Sequence, residues 1–255
     1  MGDPRGADSS EYTAGTMAGK AVIVTGGTTG IGLATAQLLA REGARVLIFG
    51  RHEAELARAL EELQREEGEV FGTVADASRV EDVRCVFRDA DERLGELDVL
   101  VNNAAVGGEH FEDQSLEEME YLVRANVVGY LACAHEAVER MKRQGSGHIV
   151  NVGSMSADLR EEGGSVYVAT KAAIQGFSES LRKTVNPAGI RVTLIEPGKV
   201  ATDMTDQSEA EKRENEAKLE MLRPEDIAAC ILFCLAQPAR CDVVTMQVRP
   251  LLQAI

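Results

Sequence analysis

The sequence predicts one doubly wound α/β domain, in which a seven-stranded parallel sheet carries helices on both faces. Short runs rich in β-branched residues alternate with longer segments of helical period, which is typical of a parallel sheet packed between helices. The chain of 255 residues is long enough to bury a sizeable core. No internal repeat or linker divides it. We therefore expect a single domain over residues 17–255, preceded by a small, polar stretch at 1–16 that forms a disordered tail.

Each predicted strand is a short apolar run, and each predicted helix carries apolar residues three or four positions apart. In chain order the strands are Lys20–Thr25, Arg45–Gly50, Val70–Ala75, Leu97–Val101, His148–Val152, Arg191–Glu196 and Val243–Val248. The helices are Ile31–Glu42, Glu53–Glu67, Val80–Leu94, Leu116–Arg143, Val166–Asn186 and Pro224–Ala236. The last helix is well marked, because Pro224 suits a first helical position and Glu225 and Asp226 complement the helix dipole.

Composition and charge argue against several classes of protein. The formal net charge is −15, from 27 basic and 42 acidic residues, which disfavours nucleic-acid binding because phosphates need cations. The longest apolar stretch, Ile227–Ala236, is too short to cross a membrane. Five cysteines in apolar surroundings indicate buried thiols in a reducing, cytoplasmic environment. Neither they nor the four histidines show metal-ligand spacing, so no metal is predicted.

The first strand runs directly into a glycine-rich turn and then into a helix. The turn reads Thr25-Gly26-Gly27-Thr28-Thr29-Gly30-Ile31-Gly32. Glycines let the chain turn sharply, and the amide groups and dipole of a helix N-terminus favour a phosphate. The spacing Gly-x-x-x-Gly-x-Gly differs from the Gly-x-Gly-x-x-Gly of the general dinucleotide fingerprint. The turn alone is weak evidence for a nucleotide site, and its position between strand and helix strengthens it.

Further blocks follow in order, and together they resemble the single-domain, NADP(H)-type branch of the short-chain dehydrogenase/reductase family. Besides the turn, the blocks are Asp76 after the third strand, Asn102-Asn103-Ala104-Ala105 after the fourth, Asn126 in the long helix, Ser154 after the fifth strand, Tyr167-Val168-Ala169-Thr170-Lys171, and Pro197–Thr202. Ala105 replaces the glycine usual in its block. The resemblance covers about Lys20 to Val248. It implies a Rossmann-type fold and hydride transfer between a nicotinamide cofactor and a small carbonyl or alcohol substrate.

The resemblance implies a catalytic set of Asn126, Ser154, Tyr167 and Lys171. Tyr167 and Lys171 stand four residues apart, so they share one face of a helix. A phenol titrates at about 10, and a nearby ammonium and an oxidised nicotinamide are expected to lower that pKa. Tyr167 would then act as general acid and base. Ser154 is expected to orient the substrate oxygen, Lys171 to hold the nicotinamide ribose, and Asn126 to support a water relay to Lys171.

The residue after the second strand favours NADP(H). NAD sites usually place a carboxylate there for the ribose 2′-hydroxyl, whereas this strand ends in Gly50-Arg51. Arg51 is predicted to pair with a 2′-phosphate and to stack on adenine. The alternative is that Arg51 merely begins a surface helix. The residues predicted to contact the cofactor are Thr25, Gly26, Thr28, Thr29, Gly30, Ile31, Gly32, Arg51, Asp76, Ala77, Asn103, Ala104, Ala105, Tyr167, Lys171, Pro197, Gly198, Val200 and Thr202.

The charged segment 202–223 is predicted to be a lid over the substrate, with a solvated surface helix as the alternative. The pocket is expected to be lined by 106–111, 155–164, 197–204 and this segment. The charged stretch Asp158–Glu162 is unusual for such a wall. Family resemblance and a surplus of apolar residues predict a homo-oligomer, either a dimer or a tetramer. The apolar residues concerned are Met119, Leu122, Tyr130, Phe177 and Leu181.

Two other functions are considered for this fold. One is a catalytically silent NADP(H)-binding sensor or scaffold, against which the complete catalytic set argues. The other is an epimerase or dehydratase of nucleotide sugars, whose relatives usually carry a C-terminal substrate region that is not expected here. The motifs leave the substrate open. The ending Val244–Pro250 lacks the Asp-Gly-Gly frequent in ketoacyl reductases and resembles the hydroxy-acid and small-alcohol dehydrogenases.

Overall fold

The computed structural model of the chain describes residues 15–205 and 207–253. The tail predicted at 1–16 therefore lies outside the described residues except for its last two positions. The N–H of Gly15 donates to the carbonyl oxygen of Ala236 with an N···O distance of 2.8 Å. The described chain is thus tied from its start to the end of the last helix.

Seven parallel strands form one sheet in the order β3-β2-β1-β4-β5-β6-β7, which confirms the predicted doubly wound architecture. The strands are β1 (Ala21–Thr25), β2 (Arg45–Gly50), β3 (Val70–Val74), β4 (Val99–Asn102), β5 (Gly147–Val152), β6 (Ile190–Pro197) and β7 (Thr245–Val248). The helices are α1 (Gly30–Arg41), α2 (Glu53–Leu63), α3 (Val80–Leu94), α4 (Leu116–Val123), α5 (Gly129–Gln144), α6 (Ser156–Leu159), α7 (Ser165–Val185), α8 (Glu209–Ala217) and α9 (Pro224–Leu235). The strand order reverses between β1 and β4, and sheets of this kind bind ligands beyond the strand ends at that point.

The long helix predicted at 116–143 contains an irregularity that its sequence pattern does not indicate. Between α4 and α5 the chain makes a π-helical turn at Arg124–Val128, which includes Asn126. Turns of this kind are rare and often lie at functional sites.

The end of α2 also differs from the prediction. The helix stops at Leu63 rather than at Glu67. The residues that follow turn so that the N–H of Gly68 donates to the carbonyl oxygen of Ala40 at 2.9 Å. Helical period alone cannot predict this contact with α1, because it depends on the packing of two separate helices.

Two apolar cores lie on the two faces of the sheet. On one face α1, α2 and α9 pack against the strands through side chains such as Leu39 and Ile231. On the other face α3, α5 and α7 contribute side chains such as Phe87, Met141 and Val185. A buried side chain of this size stabilises a fold by about 1.5–3 kcal/mol. The strand ends that carry the site are therefore held from both sides.

Two of the five apolar residues predicted to form a subunit interface lie inside the protomer instead. Leu122 and Tyr130 are each 1% exposed, so they belong to the protomer's own core. Phe177 and Leu181 are partly buried against the core beneath α3, α5 and α7, and Met119 is partly buried as well. The oligomer stays a prediction.

The segment 202–223 is anchored beside both of its ends. The N–H of Leu222 donates to the carbonyl oxygen of Lys199, and the N–H of Ala201 donates to that of Leu222, each with an N···O distance of 2.9 Å. Between these anchors α8 begins at a capping box formed by Ser208 and Glu211. Most residues of α8 are exposed. In the described part of the chain no helix has the length and apolar character to span a membrane.

Candidate active site

A cleft of about 1490 Å³ opens along the carboxyl ends of the strands. Most of the predicted site residues line it, namely Gly26, Thr28, Thr29, Gly30, Ile31, Arg51, Asp76, Ala77, Asn103, Ala104, Ala105, Ser154, Tyr167, Lys171, Pro197, Gly198, Val200 and Thr202. Thr25, Gly32 and Asn126 are buried and do not line the cleft. The structure therefore brings together residues that lie up to 176 positions apart, from Gly26 to Thr202.

The turn after β1 depends on close backbone approaches. At Gly32 a β-carbon would lie 2.1 Å from the carbonyl oxygen of Gly26. At Gly26, whose φ is +61°, a β-carbon would lie 2.8 Å from the α-carbon of Ala104. The hydroxyl oxygen of Thr25 accepts the N–H groups of Asn103 at 2.9 Å and of Ala104 at 2.7 Å. The turn and the segment after β4 thus form one continuous wall.

The N-terminus of α1 meets the cleft without a side-chain cap. Thr29 at its N-cap makes no capping hydrogen bond, and the first turn contains no acidic residue. In contrast, α4 and α8 begin with capping boxes at Ser115 and Ser208. Free amide groups and the positive end of the helix dipole favour an anion at the start of α1. This wall fits the diphosphate of a dinucleotide.

Three polar side chains meet where the cleft passes β2 and β3, a region we call the β2–β3 end: Arg51, Asp76 and Tyr121. The guanidinium of Arg51 donates to the hydroxyl of Tyr121, and its central carbon lies 5.5 Å from the centroid of that ring. The hydroxyl of Tyr121 donates to the Asp76 carboxylate at 3.4 Å. Burial and the Asp76 charge raise the pKa of Tyr121. Arg51 therefore lines the cleft and also lies just before α2, which begins at Glu53.

Tyr167 and Ser154 come together in the cleft wall from α7 and from the end of β5. Burial raises the pKa of Tyr167, the hydrogen bond with Ser154 acts against this rise, and the charge of Glu161 adds to it. The lowered pKa expected from the sequence is therefore wrong for the protein alone, because burial disfavours the phenolate. Tyr167 is a protonated phenol at neutral pH.

Lys171 lies one turn further along α7 and is 3% exposed. Its ammonium donates to the carbonyl oxygen of Val152 at 3.1 Å, and the hydroxyl of Tyr130 donates to the same oxygen at 2.9 Å. The distance from Nζ to the centroid of the Tyr167 ring is 5.6 Å. Burial lowers the pKa of Lys171 to about 8. Near neutral pH the group is still mostly charged, so it places a cation beside the phenol.

Asn126 is buried behind the cleft wall and hydrogen-bonds two of the segments near it. Its side-chain oxygen accepts the N–H of Val106 at 2.8 Å, and its amide nitrogen donates to the carbonyl oxygen of Val106 at 2.9 Å. The same nitrogen donates to the hydroxyl of Thr170 at 3.3 Å. The side chain thus joins the segment after β4 to α7 next to Lys171. Its role in a water relay stays a prediction.

The cleft has a region that we call the acidic end, lined by Glu109, Asp113, Glu161 and Glu162. The Ser156 hydroxyl donates to the Glu161 carboxylate at 3.0 Å and holds it near Tyr167. The N–H of Phe111 donates to the carbonyl oxygen of Gly163 at 3.1 Å, which links the two loops of this region. The predicted pocket stretches 106–111 and 155–164 therefore meet, although Phe111 itself does not line the cleft.

The segment predicted as a lid contributes only its first part to the cleft, Thr202 to Thr205. α8 does not line it. Within the described residues no group of three or more His, Cys, Asp or Glu side chains is arranged to hold a metal ion.

Sequence reasoning missed several residues of the site, among them Tyr121, Tyr130 and Thr170. Thr170 stands inside the Tyr-x-x-x-Lys block, so a helical projection would have placed it beside Lys171. Tyr121 and Tyr130 lie on either side of the π-helical turn. Their partners, Arg51 and Val152, are 70 and 22 positions away along the chain. No local spacing indicates contacts of that range.

Comparison with known proteins places this chain in one family. A model of the short chain dehydrogenase family matches residues 20–213. An uncharacterised oxidoreductase of Staphylococcus aureus is 33% identical over 232 residues, which cover 91% of this chain and 97% of that protein. An uncharacterised oxidoreductase of Staphylococcus saprophyticus is 31% identical over 233 residues, with the same coverage of 91% and 97%.

Solved structures show the same fold. A short chain dehydrogenase from Burkholderia cenocepacia in complex with NADP is 27% identical, with a TM-score of 0.82 over 92% of this chain and 98% of that one. A 3-ketoacyl-(acyl-carrier-protein) reductase from Brucella melitensis complexed with NADH is also 27% identical, with a TM-score of 0.83 and the same coverage of 92% and 98%. One neighbour therefore holds the phosphorylated cofactor and the other the unphosphorylated one.

Proposed function

We propose that this chain, which belongs to the short-chain dehydrogenase family, transfers hydride between NADP(H) and a carbonyl or secondary alcohol, with Tyr167 as general acid and base. One observation carries the proposal. Tyr167 and Ser154 line one cleft together, and the Lys171 ammonium lies 5.6 Å from the centroid of the Tyr167 ring. A phenol, a hydroxyl donor and a cation at a nucleotide-sized cleft suit carbonyl reduction.

The protein's own residues provide the proton and the orientation. When bound, NADPH supplies the hydride that goes to the carbonyl carbon. The phenol of Tyr167 gives its proton to the carbonyl oxygen, while the Ser154 hydroxyl donates a hydrogen bond to that oxygen and holds it in place. The Lys171 ammonium stabilises the phenolate that results. In the oxidation direction the phenolate removes the proton from the alcohol.

The raised pKa of Tyr167 is consistent with this cycle. Reduction requires a protonated phenol, which the protein alone provides. Oxidation requires a phenolate, and the cation of the oxidised nicotinamide favours that form. We therefore expect the apparent pKa of Tyr167 to be lower in the complex with NADP than in the free protein.

The β2–β3 end supports a preference for NADP(H). Arg51 lines the cleft and has donors for a phosphate. An acidic residue in place of Gly50 would meet Thr28, because a β-carbon there would lie 2.7 Å from the Thr28 methyl carbon. The carboxylate of an NAD-type site therefore fits poorly at the end of β2. Together with the uncapped start of α1, these residues suit a dinucleotide with a 2′-phosphate.

The proposal includes two properties of the whole protein. A dimer or tetramer follows from family resemblance alone. A cytosolic location is in keeping with the five cysteines, all of which are free thiols.

The decisive experiment is a screen of ketones and alcohols with NADPH and NADP, followed at the absorbance of the reduced nicotinamide. We expect turnover of at least one class of carbonyl compound, faster with NADPH than with NADH at equal concentration. Tight NADPH binding without turnover of any compound would instead indicate a silent sensor. Faster turnover with NADH would contradict the cofactor assignment and leave the chemistry intact.

A further inference from the structure

The β2–β3 end contains a chain of hydrogen bonds that joins three separate elements. Arg51 follows β2, Asp76 follows β3 and Tyr121 lies on α4. The guanidinium of Arg51 donates to the oxygen of Tyr121, and the Tyr121 hydroxyl donates to Asp76 at 3.4 Å. The other carboxylate oxygen of Asp76 accepts the N–H of Ser78 at 2.8 Å, which fixes the far end of the chain.

The direction of this chain follows from the chemistry of its members. A guanidinium only donates and a carboxylate only accepts, so the single hydroxyl between them must accept from Arg51 and donate to Asp76. Among the described residues no direct ion pair joins Arg51 to a carboxylate. Tyr121 is thus the link through which the exposed Arg51 side chain is attached to the body of the protein.

The attachment leaves most of the guanidinium available. One of its five N–H donors is used by Tyr121, and four remain for a ligand. The Tyr121 ring also lies beneath the cation, 5.5 Å from centroid to guanidinium carbon, which limits the rotamers that the long side chain can adopt. A side chain held in advance loses less entropy when it binds a phosphate.

We propose that Tyr121 is a positioning residue for cofactor selectivity, which holds Arg51 where it meets the 2′-phosphate of NADP(H). This inference rests on the proposed preference for NADP(H). Tyr121 does not act on the reacting atoms. It lowers the entropic cost at which Arg51 engages the phosphate, so its effect falls on NADPH and leaves NADH unchanged.

The test is equilibrium binding to the full chain, without turnover. NADPH and NADH are titrated separately, with the fluorescence of the reduced nicotinamide as the signal. The variants are Tyr121→Phe, Arg51→Ala and both together. We expect Tyr121→Phe to weaken NADPH binding by about three- to tenfold, the scale of one ordinary net hydrogen bond, since Tyr121 positions Arg51 and does not itself bind the phosphate; NADH affinity should be unchanged. In the Arg51→Ala background the same change should have no further effect.

Each other outcome overturns the inference. Equal losses for NADPH and NADH would make Tyr121 a general support of the cleft. Tighter NADPH binding would mean that Tyr121 competes with the phosphate for Arg51. If Tyr121→Phe still weakens NADPH binding in the Arg51→Ala background, then Tyr121 does not act through Arg51. The wild-type protein tests the proposed function by itself, because an unmodified chain that prefers NADH removes the premise before any variant is compared.

Discussion

Around the turn after β1 the cleft is lined largely by backbone and small side chains, whereas the acidic end is lined by carboxylates from two separate loops. The turn is closely packed, because a β-carbon at Gly32 or at Gly26 would collide with the main chain of Gly26 or of Ala104. The acidic end depends on side-chain contacts such as the one between Ser156 and Glu161. A backbone wall suits the diphosphate that all nicotinamide dinucleotides share, whereas side chains on loops can differ with the substrate.

Tyr167 lines the same cleft and is the proposed proton donor, so its substitution separates chemistry from binding. Tyr167→Phe keeps the ring and removes the proton donor. We expect kcat to fall by about 10²–10⁴-fold, the usual contribution of general acid catalysis, with NADPH affinity little changed. Steady-state kinetics and NADPH titration check both parts. Near wild-type turnover in a folded variant would make Tyr167 a packing residue and refute the mechanism.

Lys171 is assigned both to the phenol of Tyr167 and to the nicotinamide ribose, so its loss should affect both measurements. Lys171→Met keeps much of the volume of the buried side chain and removes the charge. We expect kcat to fall by about 10–10²-fold, because the cation beside the phenol is lost. NADPH affinity should fall by about tenfold or more, because a hydrogen bond to a charged group is lost as well.

Thermal unfolding of the Lys171→Met variant provides the control, because a buried residue can also act through stability. If kcat falls while cofactor binding is unchanged, then Lys171 stabilises the Tyr167 phenolate but does not hold the nicotinamide ribose.

Substitution of Arg51 tests the preference between NADPH and NADH and leaves the reacting groups in place. Arg51→Ala should lower the ratio of kcat/KM for NADPH to that for NADH by about tenfold or more, because a charge-assisted hydrogen bond contributes about 1.5–3 kcal/mol. Arg79→Ala is the matched control, since it removes an exposed arginine that does not line the cleft. An unchanged ratio in Arg51→Ala would remove Arg51 from the 2′-phosphate site.

The smallest expected effect comes from the acidic end. The charge of Glu161 raises the pKa of Tyr167, so Glu161→Gln should lower it. Oxidation needs the phenolate, and its rate should therefore begin to rise at a lower pH than in the wild type. Reduction needs the phenol, and its decline on the alkaline side should move to lower pH as well. Glu162→Gln, which lines the same region, is the control and should leave both profiles in place.

The contrast between the two regions also explains how much the sequence could predict. The β1–turn–α1 unit was predicted because its strand, glycines and helix are contiguous, and α3 was predicted from Val80 to Leu94 as observed. Local conformation is enough for elements of this kind. The order of the catalytic motifs along the chain, together with the alternation of strands and helices, was enough for the family and the fold.

What the sequence left undetermined depends on contacts between distant residues. The link between Arg51 and Tyr121 spans 70 positions and exists because α4 packs beside the ends of β2 and β3. The same packing decided the π-helical turn and the hydrogen bonds that join the Asn126 side chain to Val106 and Thr170. The pKa of Tyr167 was wrongly predicted for the free protein, since charge can be counted in a sequence but burial cannot. Sequence patterns determine which groups are present, and only the tertiary structure decides how deeply each is buried and which of them meet.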